Sequence, residues 1–160
     1  MVLTPTHLMI LVEQVHDARI VPIYESAEKA RANHKPSAIK PWLGDTVGWW
    51  DGDALVMESI NVEPKQQDNH SYPISPKAVI TERLTRTGEK SIFYEFSVND
   101  PETYTQPWKA ELSFYPSEGV YEYACHEGNY GMHGILAGAR EKERQAEATT
   151  KKVKASKRGK

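Results

Sequence analysis

Thr46-Val47-Gly48-Trp49-Trp50-Asp51-Gly52-Asp53-Ala54-Leu55-Val56-Met57-Glu58-Ser59-Ile60 is the stretch that decides the fold class. Two runs of β-branched, aromatic and apolar residues flank Asp51-Gly52. Asp-Gly is a strong hairpin signal, because a type I′ turn needs positive φ at both central residues. The stretch therefore reads as two antiparallel strands joined at Asp51-Gly52. Side chains alternate across a strand, so Trp49 and Trp50 point to opposite faces. One belongs to a core and the other to the second face; if the sheet curls into a barrel, one of them lines the cavity. Two tryptophans that merely pack explain the pattern equally well.

The same grammar repeats on both sides. His7 to Val15 has no breaker and reads as a buried strand. If it continues through Ile20–Ile23, Asp17 and Arg19 share one face and His16 takes the other. Residues 78–86 and 91–98 form a second hairpin around Thr87-Gly88-Glu89-Lys90. Ile92, Tyr94, Phe96 and Val98 share one face of it. Glu82 and Arg83 face opposite ways, and a buried Glu82 would need a partner. Trp108 to Tyr115 is a further strand, Pro116 to Gly119 turns the chain, and 120–127 pairs back.

Helical periodicity appears in only two places. Residues 25–35 suggest a short helix capped by Ser26, ended before Pro36. Ile135 to Ala148 suggests a charged surface helix with a narrow apolar stripe. Six to eight strands with short turns make an antiparallel meander, which must hide its apolar face by curling or by stacking as a sandwich. Sequential hairpins favour the first. The expectation is an all-β, lipocalin-like barrel over residues 1–149, with a short C-terminal helix and a disordered basic tail at 150–160.

Composition narrows the function. The chain has 160 residues, is 39% hydrophobic and 26% charged, and carries a formal charge of −2. Six of its bases lie in residues 151–160; without them 14 bases face 22 acids, a body of −8. An acidic body argues against nucleic-acid binding. No apolar run approaches the ~18 residues that span a bilayer, so no membrane partner is expected. The N-terminal stretch lacks a basic leader and a cleavage site. One cysteine permits no internal disulfide, which fits a cytoplasmic protein.

Residues 120–130, Val-Tyr-Glu-Tyr-Ala-Cys-His-Glu-Gly-Asn-Tyr, hold three tyrosines, two glutamates, a histidine and the only cysteine. Such groups exchange protons near neutral pH; a closing strand whose polar groups bond its neighbours is the alternative. His126 is the candidate general acid or base, with His16, Arg19, Tyr94 and Tyr123 beside it. Arg19 would hold an anionic oxygen, and a tyrosine would donate to developing charge. A structural ion pair accounts for Asp17 and Arg19 as readily. Trp49, Trp50, Glu82, Tyr104, Trp108 and Glu127 are candidate substrate contacts. Residues 61–76 read as a long loop able to cover a cavity mouth.

Several segments together resemble a large bacterial family of uncharacterised proteins. Gly44 to Val56 is similar to its G-D-S-x-G-x-W-E-G-D-T-L-V signature, with Thr46, Asp51 and Ala54 in place of Ser, Glu and Thr. His16 to Pro22 matches H-D-x-R-I-[IV]-P, and Glu82 to Arg86 matches E-R-[FL]-x-R. Asp100 to Trp108 matches D-P-x-x-[WY]-[TS]-x-P-W, and Glu122 to Asn129 matches E-Y-x-C-x-E-[GN]-N. The resemblance covers residues 16–130 and implies that these segments converge in one place; it supplies no activity.

No phosphate loop, dinucleotide fingerprint, C-x-x-C, H-E-x-x-H or G-x-S-x-G pattern is present. The expectation is therefore no metal, no cofactor, and acid–base chemistry of lyase, dehydratase, isomerase or cyclase type on a small aromatic or polycyclic molecule. A non-catalytic carrier of an apolar ligand and a protein-interaction domain stay open beside it, as does a homo-oligomer.

Overall fold

The computed structural model describes residues 1–63, 65, 73–120, 123 and 130–158. They form two compact units, Met1–Glu122 and Tyr123–Lys160. The first is all-β and barrel-like. Its strands are β1 (Val2–Leu3), β2 (His7–Leu11), β3 (Ala18–Tyr24), β4 (Asp45–Asp51), β5 (Ala54–Ile60), β6 (Val79–Gly88), β7 (Ser91–Asn99) and β8 (Trp108–Phe114). They form one eight-stranded sheet in strict chain order, curled into a half-barrel. The helix α1 (Ala27–Ala32) is the first unit's α-helix.

Every neighbouring pair is antiparallel except β3 and β4, which run parallel through Ile23↔Gly48 and Tyr24↔Trp49. The expected meander holds in strand order, and this parallel pair is where it departs from antiparallel pairing. A parallel pair cannot be closed by a tight turn and needs a crossover. The crossover is α1 followed by residues 33–44. Ser26 caps the helix by accepting the Lys29 N–H, as its sequence suggests. Gly48 lets the two strands lie close: a Cβ there would stand 3.3 Å from Val21 Cγ1.

The decisive hairpin forms, with one change of turn. Asp51 pairs with Ala54, so Gly52 and Asp53 are the central residues. Only Gly52 has positive φ, at 59°. That is the pattern of a type II′ turn, which places glycine first, rather than type I′. In the second hairpin β6 runs on to Gly88, and a register shift between Arg86 and Gly88 absorbs the extra residue.

The register sorts side chains onto two faces. Leu8, Val21, Leu55, Met57 and Leu84 make the core on the inner face, with Ile92, Tyr94 and Phe114 packed against it. Val47, Trp49 and Val56 make a second cluster on the outer face, under Ala30 of α1. Each such fully buried aliphatic side chain is worth about 1.5–3 kcal/mol.

The second unit contains α2, Gly131–Arg158, 28 residues long. It extends beyond both ends of the Ile135–Ala148 pattern. Among the described residues no helix is long and apolar enough to cross a membrane.

Candidate functional site

The inner face carries one charged cluster, made by residues far apart in sequence. Arg19 faces inward because it pairs with Ile10 two positions along from the buried Val21. Glu82 faces inward between Ile80 and Leu84, opposite Met57 on β5. Curling of the sheet brings β3 over β6 across two intervening strands. Arg19 Nη1 then donates to Glu82 Oε2 at 2.7 Å, and Nη2 to Oε1 at 2.9 Å. This fork is the strong form of a carboxylate pair. Tyr94 on β7 donates its hydroxyl to Glu82 Oε1 at 2.7 Å. The buried glutamate thus has the partners that its position demands.

Burial, then the charge of Glu82 and the hydrogen bond to it, push the Tyr94 phenol well above its ordinary value; Arg19 opposes them. A carboxylate beside a phenol disfavours the phenolate. Tyr94 is therefore a neutral hydrogen-bonding group, and both oxygens of Glu82 are engaged. Arg19 has spent two of its five N–H donors.

This cluster forms one wall of a cavity of about 390 Å³. The other walls are Ile74, Ile80, Phe96, Val98, Trp108 and Ala110. The aromatic rings run in a chain. Tyr94 stacks on Phe96 with centroids 5.6 Å apart, Phe96 meets Trp108 edge-on at 5.6 Å, and Tyr104 meets Trp108 edge-on at 5.7 Å. Such pairs prefer offset or edge geometry and hold each other in place. The Tyr104 hydroxyl donates to the Pro73 carbonyl at 3.0 Å.

A second anchor holds the same rim. Asp100 is buried and accepts the Ser75 N–H at 2.7 Å and the Ser75 hydroxyl at 2.6 Å. Burial pushes its carboxyl up, but hydrogen bonds from Ser75, Thr103 and Glu102 outweigh this and hold it below its usual value. Ser75 and Tyr104 thereby fix residues 73–75, and with them Ile74 in the cavity wall.

The sequence candidates divide as follows. Arg19, Glu82, Tyr94, Tyr104 and Trp108 come together around this cavity. The segments carrying Arg19, Glu82 and Trp108 are three of those that bear the family-like motifs. His16 does not join them. Strand β2 ends at Leu11, and Gln14–His16 forms a 3₁₀ turn before β3. His16 sits there exposed, with φ of 60°, and is not among the residues that line this cavity. Trp49 lies on the outer face against α1, 7% exposed. Trp50 is the tryptophan on the inner face, at the far end from Trp108. Tyr123 belongs to the second unit and is 41% exposed. His126 and Glu127 lie outside the described residues, as does most of the expected loop over 61–76.

One constellation was not legible beforehand. His34 Nδ1 lies 2.8 Å from Asp45 Oδ2, and its Nε2 faces Glu58 Oε1 at 3.6 Å. Arg31 clasps Glu58 at 2.9–3.1 Å and lies over the Trp49 ring. This cluster ties α1 and its exit to the outer face of β4 and β5. Asp45, inside the Gly44–Val56 motif, was the one available hint, since a buried acid at a strand start needs a partner.

A slot of about 370 Å³ opens where β3 and β4 diverge, lined by Asp17, Arg19, Lys35, Trp42 and Asp45 among others. Among the described residues no group of three or more His, Cys, Asp or Glu side chains is arranged to hold a metal ion. No family model, curated protein or solved structure matches the chain.

Proposed function

We propose that the inner face of the half-barrel binds a small aromatic molecule bearing a hydroxyl or oxyanion. The observation that carries this is the Arg19–Glu82–Tyr94 cluster set into an otherwise apolar, aromatic cavity wall. Ligand sites are typically concave and apolar, with a few fixed polar groups that set orientation. Phe96 and Trp108 supply ring faces. Arg19 retains unspent N–H donors for an oxyanion, and the Tyr94 oxygen retains lone pairs for a ligand hydroxyl. Because Glu82 is already neutralised by Arg19, a neutral or phenolic ligand oxygen suits the site better than a second strong acid.

Acid–base catalysis on the same ligand is the second reading. The Tyr94–Glu82 hydrogen bond favours it, because it fixes a neutral phenol oxygen where it can hold and orient a reacting ligand hydroxyl. Its base would be a group outside the cluster, since both Glu82 oxygens are engaged.

Titration with naphthol, followed by tryptophan fluorescence, tests the binding reading. Saturable binding is expected, weakened about tenfold or more by Trp108→Ala, since stacking of this kind is worth about 1–3 kcal/mol. Arg19→Lys should weaken it less. Failure of the folded protein to bind naphthol saturably would overturn the assignment.

A further inference from the structure

The inner face has a second cavity, at the opposite end from Trp108. It measures about 550 Å³, in the range of small-molecule sites. Its floor is Leu8, Leu55, Leu84, Ile92 and Phe114, with Trp50 as a wall. Leu84 of this floor and Tyr94 of the aromatic cavity are register partners, so the two cavities adjoin at that rung. None of these floor side chains offers a strong hydrogen-bonding group, so the ligand part that fills it is apolar.

The rim is different. Arg86, Asp53, Glu89 and Lys90 reach it. Arg86 is held in one orientation: its Nε donates to the Gly88 carbonyl and its Nη2 to the Glu89 carbonyl, both at 3.0 Å. These acceptors are neutral. Among the described residues no carboxylate pairs with Arg86. Its guanidinium is therefore held at the mouth without an ion-pair partner among the described residues, and its other N–H groups remain for a ligand. The register shift between Arg86 and Gly88 lies in the same turn as these two bonds. Asp53 and Glu89 disfavour an anion at their part of the rim; of the two rim cations, Arg86 and Lys90, Arg86 is the one held in place by hydrogen bonds, which makes it the preorganised docking point.

We infer that this cavity takes an amphiphilic carboxylate: an aliphatic body on the Leu8–Leu55–Leu84–Ile92 floor, with its carboxylate on Arg86. The site is distinct from the aromatic one, and a ligand in either leaves the other's polar group unused.

The experiment is calorimetric titration of the full chain with decanoate, with decanol and decyltrimethylammonium as uncharged and cationic comparators. Decanoate should bind one per chain and at least threefold more tightly than decanol, with the cation weakest. Arg86→Gln should remove the preference, a three- to tenfold loss confined to decanoate, as suits an exposed charge pair. Arg86→Lys should restore most of it. Naphthol binding by Arg86→Gln serves as the folding control and should be unchanged. Equal binding of decanoate and decanol by the native chain would overturn the inference. So would an unchanged preference in Arg86→Gln, absence of saturable decanoate binding, or decanoate and naphthol excluding one another completely.

Discussion

Arg19 and Glu82 are 63 residues apart in the chain and meet through two hydrogen bonds, 2.7 and 2.9 Å long, across the inside of the curled sheet. The glutamate side chain is 6% exposed and the arginine 20%. A pair this far from water gains little over an apolar pair, but losing one member leaves an uncompensated charge. Arg19→Leu should therefore cost about 3 kcal/mol in urea unfolding. The double replacement Arg19→Leu, Glu82→Leu should recover most of that loss. A double variant as unstable as the single one would show that the fork, and not the stranded charge, carries the stability.

Tyr94 reports on the same cluster through pH. Its phenol pKa is raised in the folded state above the usual value near 10. The stability it contributes is therefore fully present below about pH 10 and is lost as pH rises from there through the folded value. Tyr94→Phe should cost about 1.5 kcal/mol at pH 7, the scale of a hydrogen bond to a charged group. The gap between native and variant should narrow between pH 10 and 11.5 in unfolding measured at each pH. A gap constant over that range would contradict the raised pKa.

The strand order was legible because alternation and turn residues are local signals. Thr46–Ile60 and the Ser91–Val98 face carry them plainly. Glu82 was legible as an acid that, if buried, would need a partner. That Arg19 is this partner was not, because the contact depends on how tightly the sheet curls. His16 was misplaced for a local reason. A run of extended-looking residues conceals the 3₁₀ turn, and a histidine with φ of 60° cannot be told from a strand residue by pattern alone. The parallel β3–β4 pair was missed although the helix between the strands was read, because a six-residue helix does not by itself fix the direction in which the next strand pairs. His34 was missed because nothing near it in sequence shows that Asp45 and Glu58 will flank it.

Asp100 should behave as an acid-side counterpart of Tyr94. Its folded pKa is held below the usual value near 3.8, despite burial, by hydrogen bonds from Ser75 and its neighbours. Its contribution is present above the unfolded pKa and is lost as pH falls through the folded one. Asp100→Asn should cost about 2 kcal/mol at pH 7, since it removes charge-assisted bonds to Ser75. Below pH 4 the native protein should lose stability toward the variant. Naphthol binding should also weaken, because Ser75 fixes Ile74 in the cavity wall. Normal stability at pH 7 with an undiminished acid limb would mean that the Ser75 bonds contribute nothing.

Trp49 and Trp50 are adjacent in sequence and opposite in role, which gives a test needing no knowledge of the natural ligand. Trp49 packs against Ala30 with Arg31 5.1 Å above its ring, and is 7% exposed. Trp50 is 48% exposed and walls the apolar cavity. Trp49→Leu removes buried ring area and the cation contact, so it should cost about 2–3 kcal/mol in unfolding. Its affinity for decanoate should be that of the native chain once measured on folded protein. Trp50→Leu removes a half-exposed wall, so its stability should change by no more than about 0.5 kcal/mol. Its decanoate affinity should fall several-fold, because part of the apolar contact is lost. The reversed result, in which Trp49 governs affinity and Trp50 governs stability, would mean that α1 rather than the inner face closes over the ligand.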